Sequence, residues 1–280
     1  VKASYEYITD NVTFKSKKDA FDGKKRFGAY WWGSDETSAS LSGPLFNDKF
    51  KFFSNLNYVY NRDNTPLPNP GINIGIIGDA SSKDTVNFFY PGGARYRSSA
   101  QSYTYTGTLT MDFKPIMLRL SGTYTSGKGD AGGGGLNQFM NTRNGENINS
   151  NGAFSVKLTH VLSPTMFYEL SAGYYLQTNE NYDRAFGNEN PQDLIWIYGD
   201  SLANAERGWT IPRNKTQVRG RYITPVDLNV MTFTFQQNGT ITTNWNTFKR
   251  NSIAFNGALS FLIGKTHSFK VGGEYQQYTL

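Results

Sequence analysis

The chain of 280 residues contains no cysteine. That absence excludes a disulfide framework, a thiolate-held zinc or iron–sulfur centre, and cysteine catalysis. Histidine is nearly missing as well. Only His160 and His267 occur. A catalytic imidazole needs a nucleophile and an orienting carboxylate in reach, and although Ser163 and Ser268 lie nearby in sequence a polar turn explains them equally well, so no enzyme activity is expected. Long apolar runs are absent too. The longest, Leu194-Ile-Trp-Ile-Tyr198, falls far short of the about 20 residues of a membrane-spanning helix. Aliphatic residues are scarce: hydrophobic residues make up 38% of the chain and the mean hydropathy is −0.54. Charge of one sign is scarce as well. With 28 Lys and Arg against 22 Asp and Glu, there is no strongly basic face or helix of the kind nucleic-acid binders carry, and nucleic acid is not an expected partner. The sequence opens at Val1 on a strand pattern, and any signal peptide is expected to have been removed or to lie upstream.

What is present is aromatic and polar. The chain holds 20 Phe, 18 Tyr and 5 Trp beside 27 Asn, 26 Thr and 29 Gly. Aromatics and Thr favour strands, whereas Asn and Gly favour turns, so the composition points to β structure with polar loops.

Periodicity agrees. From Tyr103 to Phe113 one face reads Tyr103, Tyr105, Gly107, Leu109, Met111, Phe113, and the other Thr104, Thr106, Thr108, Thr110, Asp112. Strands alternate faces at each residue, so this segment has one apolar and one polar side. After Lys114-Pro115 the alternation restarts at Ile116 and runs to Thr125. The same unit recurs as Ser38–Leu45 with Lys49–Tyr60, Gly152–Leu162 with Met166–Gln177, and Asn251–Ile263 with Ser268–Thr279; Val1–Thr9 adds one more strand. About nine strands of roughly 9–12 residues are therefore expected, the length that crosses a bilayer at a tilt.

Turns within these pairs are short. The other connections, Asp10–Thr37, Asn61–Gln101, Ser126–Asn151 and Thr178–Phe248, are long and rich in Gly, Asn, Asp and Pro. Strict alternation of short turns with long loops, an apolar face, a polar face and aromatics near strand ends matches an outer-membrane barrel. The expected fold is all-β, a transmembrane antiparallel up-and-down β-barrel, with residues 1–280 as one partial barrel domain. A soluble β-sandwich is the alternative.

Three segments carry a resemblance to a known family. Ala39-Ser-Leu-Ser-Gly-Pro-Leu-Phe-Asn-Asp-Lys-Phe-Lys-Phe-Phe53 resembles an early barrel hairpin of TonB-dependent outer-membrane receptors, in the Oar-like branch of Bacteroidetes and related bacteria, with Ser42 replacing a usual glycine. Val156-Lys-Leu-Thr-His-Val-Leu-Ser-Pro-Thr-Met-Phe-Tyr-Glu-Leu170 and His267-Ser-Phe-Lys-Val-Gly-Gly-Glu-Tyr275 are similar to two further hairpin segments of that family. The resemblance implies uptake of a scarce solute across the outer membrane of a Gram-negative bacterium. It implies a barrel of 22 strands closed around a plug, with the TonB energy-transduction machinery as partner, together with outer-membrane or surface lipoproteins. On that reading this sequence is expected to be a fragment, lacking the plug and the remaining strands. A passive porin and a structural or adhesin-type assembly partner are the rival functions.

Candidate residues follow from the pattern. Lys51, Arg119, Lys157, Glu169, Lys270 and Glu274 fall on the polar, lumen-facing side. The loop aromatics Trp31, Trp32, Tyr90, Trp196, Tyr198 and Trp209 are the ligand-binding candidates, since rings present flat apolar area; for any single ring the alternative, and the stronger expectation, is that it pins the long loops onto each other. The basic cluster Lys15, Lys17, Lys18, Lys24, Lys25 and Arg26 is the candidate contact with lipopolysaccharide phosphates. Ser126-Gly-Lys-Gly-Asp-Ala-Gly-Gly-Gly-Gly135 lacks phosphate-loop order and reads as a flexible loop. No metal or cofactor is expected; calcium is the one ion for which loop residues Asn179 to Arg184, Gly187 to Asp193 and Asp200 supply oxygen donors, without EF-hand spacing.

Overall fold

The computed structural model describes residues 1–9, 25–26, 29–30, 34–61, 67–69, 71–77, 86–95, 99–131, 145–187, 189–191, 201–211, 222–225, 227–230, 233–237, 239–264 and 266–280. In chain order the strands are β1 (Lys2–Thr9), β2 (Lys25–Arg26), β3 (Ala29–Tyr30), β4 (Ser34–Pro44), β5 (Phe50–Asn61), β6 (Leu67–Asn69), β7 (Ile72–Ile77), β8 (Val86–Tyr90), β9 (Gly93–Arg95), β10 (Ala100–Phe113), β11 (Ile116–Ala131), β12 (Gly145–Ser163), β13 (Met166–Asp183), β14 (Leu228–Val230), β15 (Phe233–Phe235), β16 (Asn246–Ile263) and β17 (His267–Thr279). A short helix occupies Ser201–Glu206.

Nine long strands form one antiparallel sheet in the order β1-β4-β5-β10-β11-β12-β13-β16-β17, each paired with its neighbour in sequence among the long strands, and with β1 and β17 at its edges. The chain is all-β, as expected, and the order is that of a meander. Two-stranded ribbons, β2–β3, β6–β9, β7–β8 and β14–β15, lie in the long connections.

Registers show why the two faces stay separate. Residues directly opposite each other in antiparallel strands share a face. One row runs Phe52–Leu109–Leu120–Val156–Ala172–Phe255–Tyr275, and another Phe50–Met111–Leu118–Leu158–Leu170. Every residue in both rows is apolar or aromatic. The opposite face carries the row Ser4–Ser40–Asn55–Thr106–Thr123. There the hydroxyls meet across strands: Ser4 with Ser40 at 2.6 Å, Thr104 with Thr125 at 3.0 Å, and Ser121 with Ser155 at 2.7 Å.

Among the described residues, the apolar face is not covered by other protein. Tyr5, Val271 and Tyr275 are 71%, 64% and 59% exposed, and Leu56, Phe154, Leu170 and Phe255 are exposed as well. Large buried side chains cluster instead at the loop end of the sheet, where Phe186, Trp209 and Tyr222 pack together with Ile241 against them.

Several strands run longer than the apolar alternation predicts. β12 begins at Gly145 rather than Gly152, β13 ends at Asp183 rather than Gln177, β16 begins at Asn246 rather than Asn251, and β11 continues to Ala131. The Gly-rich segment read as a loop from Ser126 is thus strand through Ala131. Its backbone ladder to β12 continues from Ser126↔Ser150 to Ala131↔Gly145, a stretch whose apolar side chains are Ala131 and Ile148. Pairing of backbone groups, not an alternating apolar face, marks these extensions, and Glu146, Ser150, Tyr182 and Asp183 are buried on them.

Candidate functional site

The polar face brings the six charged candidates to one side of the sheet. Lys51, Thr110, Arg119, Lys157, Ser171, Asn256 and Glu274 form a single cross-strand row. Glu169 lies two residues from Ser171, and Lys270 four from Glu274, so both share that face. Lys157 Nζ is 2.5 Å from Glu169 Oε1. Beside this pair, Lys157, Glu169, Lys270 and Glu274 rim a shallow concavity of about 450 Å³ floored by Ser171, Asn256, Ala258 and Gly272. A second hollow of about 420 Å³, at the turns before β5 and after β10, is lined by Asp48, Lys49, Lys51, Asp112 and Lys114. Most ionisable groups of this face thus lie toward the short turns, and β10–β13 continue above them mainly with Thr, Ser, Asn, Gln and Gly, with Tyr175 among them and Asp183 at the loop end.

At the loop end, a second charged network ties strand tops to loops. Glu146 lies opposite Asp130 on β11 and Tyr182 on β13. Its Oε1 accepts a hydrogen bond from Tyr182 at 2.6 Å and pairs with Lys128, and its Oε2 accepts from Arg184 Nε at 3.1 Å. The same guanidinium donates to Asp130 Oδ1 at 2.6 Å, and Asp130 Oδ2 accepts from the Ser99 backbone N–H at 3.1 Å and from the Ser99 hydroxyl. Burial alone pushes the Glu146 carboxyl up, but hydrogen bonds from Lys128 and Tyr182, the charge of Lys128 and the bond from Arg184 outweigh it and hold the group below the ordinary carboxylate range. Burial, then the bond to Glu146 and its charge, pushes the Tyr182 phenol up to about 12.

A third anchor lies on the polar side. Asp183 is 0% exposed; its Oδ1 accepts from Ala185 N–H at 3.0 Å, and its Oδ2 from the backbone N–H and the hydroxyl of Thr242, each at 2.9 Å. Asn181 Nδ2 donates to the Asn244 carbonyl at 3.3 Å, and a Cβ at Gly145 would sit 2.7 Å from both Oγ1 and Cγ2 of Thr243. Asp183, Asn181 and Gly145 alternate onto the face that carries Lys157 and Ser171, so the segment from Thr242 to Asn244 crosses that face at its loop end.

Two of the aromatic candidates, Trp209 and Tyr90, take the loop-pinning alternative. Trp209 is 3% exposed; it packs on Phe186 with ring centroids 5.3 Å apart, donates from Nε1 to the Gly239 carbonyl at 2.8 Å, and lies under the Arg207 guanidinium, which also covers Phe186. A Cβ at Gly239 would meet the Arg207 carbonyl oxygen at 1.7 Å, so only glycine permits this approach. Tyr90 is 6% exposed and donates to the Gln236 carbonyl at 2.6 Å, joining two long connections. In this structure both rings fasten loop to loop rather than present a free surface.

Trp31, Trp32, Trp196, Tyr198, Lys15, Lys17, Lys18 and Lys24 lie outside the described residues, and Lys25–Arg26 form β2 against Ala29–Tyr30. The calcium candidates from Asn179 to Asp183 are strand residues that alternate between faces, and Asp183 is committed to Thr242. Among the described residues no three of His, Asp and Glu gather as a metal site. His160 shares a 3.1 Å hydrogen bond with Tyr168 on the apolar face. Sequence reasoning missed the Glu146, Asp130, Arg184 network and the Asp183–Thr242 anchor, since each partner comes from a separate strand or loop. No family model, curated protein or solved structure matches the chain.

Proposed function

We propose that the chain is the barrel portion of a TonB-dependent transporter of the Gram-negative outer membrane. Such a protein takes a solute at its extracellular loops and passes it inward as a plug domain moves. The observation that carries this reading is the separation of an exposed apolar face from a polar face along nine meandering strands. A soluble sheet of this size would bury its apolar side against another layer. Lipid is the environment that suits such a face left bare.

Dimensions support it. Tyr103 and Phe113 share the apolar face ten residues apart. That is about 33 Å along a strand, or about 25 Å across a membrane at the usual tilt of about 40°. Tyr5, Tyr58, Tyr103, Tyr105 and Tyr124 lie toward one end of this face, and Phe50, Phe113, Tyr168, Phe261 and Phe269 toward the other. Phe52, Phe154, Tyr174, Phe255 and Tyr275 lie between them on the same face; rings favour the headgroup level, and on this reading the rings at the two ends mark the interfaces. Backbone groups on the edges of β1 and β17 would each need a partner strand in hydrocarbon, which the proposed barrel supplies by closure. The charged row from Lys51 to Glu274 then faces the plug, at the periplasmic end. The assignment to the TonB-dependent family rests on the three resembling segments, and with it the energy-transduction machinery and surface lipoproteins as partners.

The crossing of Thr242 to Asn244 over the polar face also suits a passive porin, in which an inward loop narrows the channel. One preparation tests both. The full-length chain, expressed in a Gram-negative host, is expected in the outer-membrane fraction and, in planar bilayers, closed in the absence of energy. Recovery as a soluble periplasmic protein would sink the barrel; a steady open conductance would select the porin.

A further inference from the structure

The upper polar face contains a patch of unusual chemistry. Across β12 and β13, Asn147 lies opposite Asn181, Asn149 opposite Asn179, and Asn151 opposite Gln177. Six carboxamides therefore occupy three consecutive same-face rows on two adjacent strands. On the β11 side these rows continue into Gly129, Gly127 and Thr125, and on the β16 side into Asn246, Phe248 and Arg250. The next row holds Tyr175, with Tyr278 beyond Ser252.

The carboxamides are partly bonded to one another. Asn149 donates to Asn147, Asn179 donates to Asn149, and Tyr175 donates to Asn151 Oδ1 at 3.4 Å. Each carboxamide carries two N–H donors and an acceptor oxygen, so these contacts use a fraction of the capacity. Two atoms here are buried with no hydrogen-bond partner, Asn181 Oδ1 and Arg250 Nε. Such atoms cost free energy unless another molecule satisfies them. Tyr175, Phe248 and Tyr278 are exposed beside the patch, and the Arg250 guanidinium lies 5.1 Å over the Tyr278 ring.

Arg250 is the only charged side chain in the three carboxamide rows from β11 to β16. A surface without a field of one sign cannot compensate the desolvation of a highly charged ligand. Planar carboxamides at strand spacing suit a ligand that is itself dense in hydroxyl donors and acceptors, and exposed rings suit the C–H face of a pyranose. The Gly127 and Gly129 positions leave the adjoining wall without side chains.

We propose that this patch, the inner wall below the extracellular mouth on the barrel reading given above, binds a neutral polyhydroxylated ligand of the oligosaccharide class. Gln177, Asn149 and Asn179 hydrogen-bond its hydroxyls, and Phe248 and Tyr175 stack against its ring faces.

Titration calorimetry on the full-length protein extracted from outer membranes tests this, with maltohexaose, cellohexaose, xylohexaose and mannohexaose as neutral probes and hexagalacturonate as a charged one. At least one neutral hexasaccharide is expected to bind, with hexagalacturonate weaker by about tenfold or more. Gln177→Ala and Phe248→Ala should each weaken the neutral probe by about tenfold. Thr108→Ala, below the patch on the same face, should leave binding unchanged, and the amount of each variant in the outer-membrane fraction reports its folding. Silence of all four neutral probes at about 10 mM, equal binding of hexagalacturonate, or undiminished binding by both patch variants would overturn the proposal. A correctly inserted barrel that ignores neutral sugars sinks only this inference; a chain missing from the outer membrane sinks the barrel reading beneath it.

Discussion

Asp183, at the end of β13, is completely buried and accepts two hydrogen bonds of 2.9 Å from Thr242, one from its backbone N–H and one from its hydroxyl. The pair closes a long connection back onto the strand it left. Removing the carboxylate with Asp183→Ala strands a buried N–H, at a cost of about 3 kcal/mol, since bonds to charged groups contribute about 1.5–3 kcal/mol each. Thr242→Val removes only the hydroxyl bond and should cost about 1 kcal/mol. Hydrogen exchange is the suitable readout: in Asp183→Ala the Thr242 amide is expected to lose protection while amides of β10 and β11 keep theirs. Unchanged protection at Thr242 would mean the anchor does not hold the segment.

Acid should loosen a different corner. The Glu146 carboxyl is held below its ordinary value by Lys128, Tyr182 and Arg184. A lowered carboxylate stabilises the fold fully above its unfolded pKa of about 4.3, and that contribution disappears as pH falls through the lower folded value. Exchange protection at the loop ends of β11, β12 and β13, taken relative to the intrinsic amide rate at each pH, is therefore expected to be the same at pH 7 and pH 5.5 and to fall below about pH 4. Glu146→Gln should already be loosened at pH 7 and show a shallower acid response. An acid response as steep in Glu146→Gln as in the parent chain would assign it to other groups.

The parts of the fold that were legible in the sequence are those in which side chains alternate. Leu109, Leu118, Leu158 and Leu170 report their face by period two, and the turns at Lys114-Pro115 and Ser163-Pro164-Thr165 end the runs, so the placement of Lys51, Arg119, Lys157, Glu169, Lys270 and Glu274 on one face could be read in advance. Strand extensions such as Asn147 to Asn151 carry polar residues on both faces, and backbone pairing leaves no trace in the hydrophobic pattern. For Tyr90 and Trp209 the sequence could offer loop-pinning as a general outcome but not the partners, because Gln236, Phe186 and Tyr222 are distant in sequence and carry no periodic signal.

Burial of those two rings has a measurable consequence. Trp209→Ala empties the centre of the Phe186, Trp209, Tyr222 cluster and should destabilise the loop body by about 3–5 kcal/mol. Tyr90→Phe keeps the ring and deletes one buried hydrogen bond, at about 1–2 kcal/mol. Limited proteolysis of the inserted protein separates them: cleavage between β13 and β16 is expected to accelerate strongly in Trp209→Ala and slightly in Tyr90→Phe. Resistance of Trp209→Ala equal to that of the parent chain would show that the cluster is not what holds this connection.

The two faces of β10 offer the sharpest test of environment. Leu109 and Thr108 are adjacent in sequence, with Leu109 opposite Phe52 and Leu120 on the apolar side, and Thr108 opposite Phe53 and Ser121 on the other. If lipid covers the apolar side, Leu109→Arg and Leu118→Arg each place a cation near the midplane at a cost of about 2–4 kcal/mol. Thr108→Arg enters a hydrated interior and costs little. Membrane assembly, read as the amount of full-length protein in the outer-membrane fraction, should therefore fall sharply for the two leucine variants and stay near the parent level for Thr108→Arg. Equal loss for all three would point to a packed interior on both sides. Equal tolerance would mean that neither side meets hydrocarbon, because a strand whose two faces accept the same charge has no apolar solvent to distinguish them.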